Sequence, residues 1–359
     1  MRRCAIWYFS PALVLDQFKT CVMPALEYGV SMWGAGQYNL PLWKKVEDFW
    51  RYIARCILGV HQRAPNGGVY GELGWFPFEL RAARQATSMF VRITQSSDSS
   101  LLRKAMYVQR ALCLANKPCW LGIYKSTLCR STFGADIWNQ WWNTPDFVCD
   151  CVIRRHPVDI SHGSFASDPQ ASTTWEDGVE EATKAMFIST WKADLSRIHA
   201  KKGEGGNKLR TYNLFKSSFA YEKYLDCVDN RDKRVLLTKF RIGICPLRIE
   251  TGRYENVGDR KCIPANERTC LVCNSGDIED EFHFLLKCPE YAARRLHMLN
   301  VYKGISNVTD DQIMGMSNDR SQLFASIMSS KDKMVICSVA DYLWEAYMMR
   351  EHVLLDRNR

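Results

Sequence analysis

The sequence predicts a mainly α-helical protein, and three observations support this prediction. Apolar residues recur at steps of three and four in several segments, which is the period of an amphipathic helix. No set of alternating apolar and polar residues is long enough to indicate a major sheet. The chain has 359 residues, of which 47% are hydrophobic, so it can bury at least one full core and has room for two.

The clearest helix is predicted for residues 41–58. This segment starts with Pro41, a residue favoured at the first position of a helix, and it stops before Gly59. Large apolar residues repeat every three or four positions between these two points. Similar stripes predict further helices over residues 80–93, 179–198 and 334–347.

Several segments predict interruptions between the helices. The run Pro65–Gly68 is typical of a turn, and residues 70–77 contain glycine and proline at positions that break regular structure. The serine-rich residues 94–100 predict a loop. Residues 101–152 show no dominant period, so no element is predicted there.

The predicted domain organisation follows from one segment of linker composition. Residues 157–178 combine Pro, Gly, Ser and Asp with few large aliphatic residues. The sequence therefore predicts a helical region over residues 1–156, a linker over residues 157–178 and a second, basic helical domain over residues 179–359.

Charge is concentrated in one part of the chain. The net charge is +9, and residues 201–260 alone carry 14 basic against 8 acidic residues. Such a segment is either a footprint for phosphate groups or a solvated lysine-rich face, and charge alone does not separate the two.

Cysteine content and hydropathy bear on the compartment. The 15 cysteines are odd in number and scattered, which favours a reducing, intracellular location over a secreted disulfide framework. The sequence has no run of about 20 apolar residues, which is the length that predicts a membrane-spanning helix. We therefore expect an intracellular protein, nuclear or cytoplasmic, that is not secreted.

The strongest chemical motif is the group Cys270, Cys273, His283 and Cys288. A Cys-x2-Cys pair places two thiolates on one tight turn, and the later His and Cys complete a tetrahedral set for zinc. All four positions of the metal would be filled by protein, so the predicted zinc knuckle, over residues 262–295, is structural.

Residues adjacent to the knuckle have expected roles. Asp280 or Glu281 is expected to accept a hydrogen bond from the free imidazole N–H of His283. Arg268 and Lys287 are expected to balance the negative charge of three thiolates around zinc. Cys262 is a spare candidate ligand, and a second set of possible donors lacks a recognised spacing: Cys149, Cys151, His156 and His162.

Several stretches, in this order, resemble the C-terminal region of non-LTR (LINE-type) retrotransposon reverse transcriptase polyproteins. In the first half these are residues 23–34, Met-Pro-Ala-Leu-Glu-Tyr-Gly-x3-Trp-Gly, and residues 69–74. In the second half they are residues 209–216, 239–241, 249–254, 268–273 and 279–291. The resemblance implies a helical thumb and connector region followed by a Cys-Cys-His-Cys zinc knuckle.

The chain also departs from that family. A polymerase palm needs paired carboxylates on a strand hairpin, with an aromatic residue before them, to hold two Mg²⁺ ions. The only Asp-Asp pair is Asp310-Asp311, which lacks the aromatic residue and which we interpret as a helix N-cap. We therefore expect this chain not to be an enzyme by itself, although the parent family is an RNA-directed DNA polymerase.

The resemblance implies binding of RNA, DNA or both, with a separate reverse transcriptase core or another protein as a further partner. Phosphate contacts are expected from the basic residues of the segment, and Tyr212, Phe215 or Tyr254 could stack on unpaired bases, although core packing is expected for Phe215 and Phe240. The expected phosphate contacts are Lys208, Arg210, Lys216, Lys239, Arg241, Arg248, Arg253 and Arg260.

Two other interpretations of the sequence stay open. The chain could be a zinc-stapled protein-interaction module derived from a retroelement, in which the knuckle only holds the fold together. It could also be a decayed gene fragment with no selected function.

Overall fold

The computed structural model describes residues 9–34, 41–143, 175–196, 207–255, 262–309 and 319–357. It is 71% helical, and the described residues contain 17 α-helices and no strand, which confirms the predicted mainly α fold. None of the helices in these ranges combines the length and the apolar composition needed to cross a bilayer.

The helices follow one another in this order. In the first part of the chain they are α1 (Pro11–Gln17), α2 (Met23–Glu27), α3 (Val30–Trp33), α4 (Pro41–Leu58), α5 (Asn66–Leu73), α6 (Phe78–Thr94), α7 (Leu101–Leu114), α8 (Trp120–Leu128) and α9 (Thr132–Asn143). In the second part they are α10 (Trp175–Ser196), α11 (Tyr212–Phe215), α12 (Tyr224–Cys227), α13 (Arg231–Arg241), α14 (Arg248–Thr251), α15 (Ala292–Ser306), α16 (Arg320–Ser329) and α17 (Lys333–Arg357).

The chain divides into two compact units, each built from separate stretches of sequence. The first, which we call the cysteine unit, comprises Met1–Gln17, Arg51–Trp75 and Trp191–Arg359. The second, which we call the aromatic unit, comprises Phe18–Trp50 and Phe76–Thr190.

The aromatic unit has a core of contacting rings. Phe90 lies 5.0 Å from Tyr124 and 4.9 Å from Trp141, measured between ring centroids. These rings come from α6, α8 and α9, and the last two helices lie in the part of the sequence without a dominant period. Offset and edge-to-face ring pairs of this kind are favourable beyond their buried area.

The predicted helices 41–58 and 80–93 are present as α4 and α6. Helix α4 ends at Leu58 because Gly59 follows with a positive φ of 68°, a conformation that glycine adopts without steric cost. Helix α6 buries its predicted stripe, Leu80, Ala83, Ala86, Phe90 and Ile93. Residues 95–100 form the predicted loop, and the Ser100 side chain caps α7 by accepting a hydrogen bond from the Arg103 N–H.

The cysteine unit packs its C-terminal helices around one core. Helix α17 contacts α13 and α15, and α16 contacts α11. Between them lie Phe240, Phe284 and Phe324, which are all almost completely buried. The ring centroid of Phe240 lies 6.1 Å from that of Phe284 and 6.3 Å from that of Phe324. The predictions that Phe215 and Phe240 belong to the core are confirmed.

The turn predicted at Pro65–Gly68 is wrong, because residues 66–73 form helix α5. The irregular segment predicted over residues 70–77 is present only from residue 74 to residue 77. Two glycines of α5, Gly68 and Gly71, lie where a side chain would clash. A Cβ atom built on Gly71 would lie 2.5 Å from the Tyr212 hydroxyl and 2.9 Å from the Trp191 ring. Tertiary packing therefore stabilises a helix that the intrinsic propensity of glycine disfavours.

The two units do not coincide with consecutive halves of the sequence. The stretch Arg51–Trp75 lies before the predicted linker but belongs to the cysteine unit, because α5 packs on residues such as Trp191 and Tyr212. The last four residues of the predicted linker, 175–178, are helical and begin α10. The rest of the predicted linker, residues 157–174, lies outside the described residues.

Candidate metal centre and basic surface

A short hairpin positions the first two candidate ligands. Thr269 and Ile278 form an antiparallel bridge, and the Cys270 N–H donates to the Asp277 carbonyl at 2.8 Å. The chain reverses through Gly276, whose φ of 75° is strained for any other residue. Cys270 and Cys273 therefore lie on one tight turn, as their spacing predicts.

The other two candidate ligands lie at the two ends of a single π-helical turn, His283–Lys287, which begins with His283 and is followed by Cys288. The turn begins where the Asp280 carboxylate accepts a hydrogen bond from the His283 backbone N–H at 2.8 Å. It closes where the Cys288 N–H donates to the His283 carbonyl at 2.8 Å. The wider turn thus places His283 and Cys288 on the side that faces the hairpin.

The four predicted ligands converge on one point. Their donor atoms all lie within 4.8 Å of one another, and the Cys273 Sγ is 3.4 Å from the His283 Nε2. Thiolates about 2.3 Å from a tetrahedral metal lie close to 3.8 Å apart, so this spacing matches one metal ion. All four residues are buried.

Hydrogen bonds within the cluster shift the pKa values of its side chains in both directions. A hydrogen bond from the Cys288 thiol lowers the pKa of Cys270, and the same shared proton raises the pKa of Cys288. Burial lowers the pKa of His283, but hydrogen bonds with Cys270 and Cys273 outweigh burial and raise it overall. These shifts favour a thiolate at Cys270 and protons on Cys288 and His283, which a bound metal would displace.

The expected partner of the His283 ring is not among the two residues that we named. Asp280 accepts from the backbone of His283, and Glu281 binds Arg210 through both carboxylate oxygens at 2.6 Å. The carboxylate nearest to the His283 Nδ1 belongs to Asp277, at 3.6 Å. The hairpin fold brings Asp277 to the ring, which its distance in sequence did not suggest.

The position of Arg268 is fixed by backbone carbonyls, and its expected role in balancing the charge of the thiolates stays a prediction. Its guanidinium is fully buried and donates to the carbonyls of Ile263 and Ile249, both at 2.8 Å. It therefore fastens the hairpin to α14. Lys287 is half-buried, and Cys262 lies outside the group of four.

Three contacts connect the cluster to the long C-terminal helices, and the sequence did not indicate them. Arg350 of α17 binds Glu279 through both carboxylate oxygens, at 2.7 and 2.9 Å. The Glu279 carboxylate in turn lies 3.9 Å from the Cys270 sulfur. Arg295 of α15 donates to the Cys288 carbonyl at 2.7 Å. These outer contacts orient the ligand residues, as they do in metal sites generally.

The second set of possible donors, Cys149, Cys151, His156 and His162, lies outside the described residues. So do Arg260 and the Asp310-Asp311 pair, whose interpretation as a helix cap stays a prediction.

Two of the basic residues expected at phosphates are buried in the core instead. Arg241 binds Glu72 and Glu222, with its Nε 2.7 Å from Glu72, and its side chain is only 5% exposed. Lys216 is buried against Glu222 and donates to the Ala220 carbonyl. Tyr212 is also fully buried. Burial removes all three from solvent-facing contacts, so their expected nucleic-acid roles are corrected.

The other expected phosphate contacts are half-buried and nearer to solvent. Lys208 and Arg253 share the Glu250 carboxylate, each at 2.7 Å, and Arg248 pairs with Glu255. Arg210 holds Glu281, as described above. Within the described ranges, Lys239 forms no ion pair. Tyr254, the remaining stacking candidate, is 57% exposed.

The turn after α4 carries two residues that sequence reasoning missed. His61 and Arg63 are exposed, and the electrostatic environment of His61 includes Lys208 and Lys239. No local pattern indicates this neighbourhood, because the turn and these lysines are far apart in the sequence.

Comparison of the chain with protein-family models, with curated proteins and with solved structures found no match.

Proposed function

We propose that this chain binds nucleic acid through the cysteine unit, whose fold is fastened by a structural zinc ion. The convergence of Cys270, Cys273, His283 and Cys288 carries the proposal. It agrees with the Cys-Cys-His-Cys zinc knuckle that the resemblance to the C-terminal region of LINE-type reverse transcriptases implies.

Zinc is the metal that suits this donor set. Three sulfur donors and one imidazole in a tetrahedral arrangement select zinc over hard cations such as Mg²⁺, which prefer oxygen. Four protein ligands leave no position for water or substrate, so the ion would contribute to folding and not to catalysis.

Nucleic acid is the partner that suits the surface. Lys208, Lys239 and Arg253 come from three segments of the cysteine unit, and the exposed Tyr254 lies beside Lys208. Cations next to an aromatic ring are typical of proteins that hold phosphates and stack on unpaired bases. The same chain lacks a recognisable catalytic carboxylate pair, so we expect it to extend no primer by itself.

The experiment is a salt titration of binding to labelled single-stranded RNA and DNA, with the zinc content of the same sample measured by elemental analysis. We expect one zinc per chain and an affinity that falls steeply with salt, since each phosphate contact on a single strand contributes a slope of about 0.7. Protein that is folded but contains no metal would refute the zinc site. Protein that binds neither RNA nor DNA at low salt would refute the proposal that nucleic acid is the partner.

A second candidate is the zinc-stapled protein-interaction module. The observation that favours it is the pairing of Arg210, Arg248 and Arg253 with carboxylates, which reduces the charge available for phosphates. Folded, zinc-loaded protein that binds neither nucleic acid would favour this candidate.

A further inference from the structure

The turn after α4 lies against the basic segment of the cysteine unit. A Cβ atom built on Gly59 would lie 2.5 Å from Cγ2 of Val235, which is one helical turn before Lys239 on α13. Just after the C-terminal end of α13, Gly243 closely approaches the Lys208 backbone. The turn 59–64, Lys208 and Lys239 are therefore neighbours in the fold.

Hydrogen bonds hold this turn in place. The Ala64 N–H donates to the His61 carbonyl at 3.0 Å, and Arg55 donates to the Ala64 carbonyl at 3.2 Å. The Arg63 N–H donates to the His61 Nδ1 at 3.0 Å. Because Nδ1 accepts this bond, the neutral imidazole carries its proton on Nε2, where it can donate to a ligand.

The charges around the turn are predominantly positive. Burial and then the charge of Lys208 lower the pKa of His61. The charge of Glu250 opposes them, and the charges of Lys239 and Arg63 lower the pKa further. Glu250 is already shared by Lys208 and Arg253, each at 2.7 Å. Among the described residues, the largest charges that act on His61 are thus three cations and the Glu250 carboxylate, so the positive charge that could attract an anionic ligand predominates.

An aromatic ring lies at the edge of the same surface. The Tyr254 hydroxyl lies 2.9 Å from the Lys208 Nζ, which is also 5.5 Å from the ring centroid. These contacts restrain the orientation of the ring, while 57% of the residue stays exposed. A restrained, exposed ring next to cations suits a nucleobase that is not paired with another base.

We propose that His61, Arg63, Lys208, Lys239 and Tyr254 form one site for single-stranded nucleic acid. Arg63 and Lys239 contact phosphates, the His61 Nε2–H donates to a phosphate oxygen, and Tyr254 stacks on a base. This inference rests on the proposed function and adds to it the strand form of the partner and two contact residues from the turn after α4.

An acidic peptide is the competing ligand for the same charges. It would be attracted by Arg63, Lys208 and Lys239, but its carboxylates would gain nothing from the exposed face of Tyr254. The ring therefore favours nucleic acid, and the contribution of Tyr254 is the measurement that separates the two ligands.

The charge test uses the full chain and the double variant Arg63→Ala/Lys239→Ala, titrated with labelled single-stranded RNA and DNA at several salt concentrations. We expect the salt slope to fall by about 1.4, since two phosphate contacts of about 0.7 each are lost. The matched control is Lys223→Ala/Lys333→Ala, which removes the same charge from exposed positions elsewhere in the cysteine unit. An equal decrease of the salt slope in both double variants, or no decrease in Arg63→Ala/Lys239→Ala, would overturn the proposed site.

The stacking test places 2-aminopurine in the strand and measures its quenching. Tyr254→Ala should abolish the quenching and weaken binding roughly 5- to 150-fold, the range measured for base stacking on aromatic residues. Tyr254→Phe should retain both the quenching and the affinity, because it keeps the aromatic ring. The control Tyr28→Ala removes an exposed ring from the aromatic unit and should change neither.

The outcomes separate this inference from the proposed function. Wild-type protein that binds nucleic acid normally while every variant binds equally well would refute only the site. Wild-type protein that binds no nucleic acid would refute both. Preferential binding to duplex over single strands, or competition by polyglutamate that is unaffected by Tyr254→Ala, would also overturn the site.

Discussion

In the aromatic unit the largest buried side chains are rings that contact one another, whereas the cysteine unit also buries charged groups that bind each other across long distances in sequence. Phe90, Tyr124 and Trp141 represent the first kind of core, and Arg241 with Glu72 and Glu222 the second. Ring packing tolerates the loss of one polar atom, but a buried charge that loses its partner is costly. The two units should therefore respond very differently to single substitutions.

The comparison also explains where the basic residues are. Part of the positive charge between residues 201 and 260 is internal and neutralised by carboxylates, so composition overstates the surface available to phosphates. Lys208 and Lys239, which are half-buried, lie near residues of another segment, at the turn after α4.

The largest expected effect is the loss of the metal. Cys273→Ser should release the proposed zinc ion and unfold the region around residues 262–295, because structural zinc contributes on the order of 10 kcal/mol to folding. Hydrogen exchange resolved by segment should show loss of protection there and unchanged protection in α6, α8 and α9.

The matched control for the metal is Cys129→Ser, a half-buried cysteine of the aromatic unit that is not in the cluster. It should retain the zinc and the exchange pattern of the wild type. Zinc loss in the control, or retained zinc in Cys273→Ser, would contradict the assignment of ligands.

The second effect is the loss of the buried ion pair. Arg241→Met leaves Glu72 and Glu222 without their shared partner, and breaking a buried pair in this way costs about 3–5 kcal/mol. The cysteine unit should unfold at a lower urea concentration, detected by segment-resolved exchange because the two units need not unfold together. Arg231→Met, at an exposed position, should change the unfolding free energy by less than about 0.5 kcal/mol.

The helices and the ligand cluster were predictable because their signals are local. Helix α4 has its proline start, apolar stripe and glycine stop within one stretch, and the four ligands lie within 19 residues of one another. Spacing along the chain is then sufficient to infer what lies together.

The burial of Arg241, the contact of Arg350 with Glu279 and the helical state of α5 could not be predicted in this way. Arg241 and Glu72 are 169 positions apart, and Arg350 and Glu279 are 71 apart. Helix α5 depends on Trp191 and Tyr212, which approach its glycines from distant segments. Each of these features is decided by tertiary packing, which overrides local propensity.

The third effect is acid sensitivity of the cysteine unit. Burial alone would raise the pKa of Glu222, but the charges of Arg241 and Lys216 outweigh burial and lower it from 4.5 to about 2. Since the pKa of Glu222 is lower in the folded state than in the unfolded state, its ionised carboxylate stabilises the fold. This stabilisation is complete above about pH 4.5 and is lost as the pH falls towards 2. The loss is on the order of 3 kcal/mol.

The measurement is urea unfolding between pH 7 and pH 2.5, compared with Glu222→Gln. The variant should be less stable at pH 7 and should lose less stability than the wild type as the pH falls. A variant with the full acid sensitivity of the wild type would assign the effect to other carboxylates.

The smallest expected effect lies in the aromatic unit and tests whether its core depends on ring packing. The Tyr124 hydroxyl donates to the Thr87 Oγ1 at 3.2 Å, and Thr87 itself donates to the Ala83 carbonyl at 2.9 Å. Tyr124→Phe removes the first bond but leaves the second and keeps the stacked contact with Phe90, so the cost should be about 1 kcal/mol. Tyr107→Phe, at an exposed ring of the same unit, should cost less. Chemical unfolding followed by tryptophan fluorescence measures both, and a loss of 3 kcal/mol or more in Tyr124→Phe would show that this core also depends on a buried polar network, which would remove the difference between the two units.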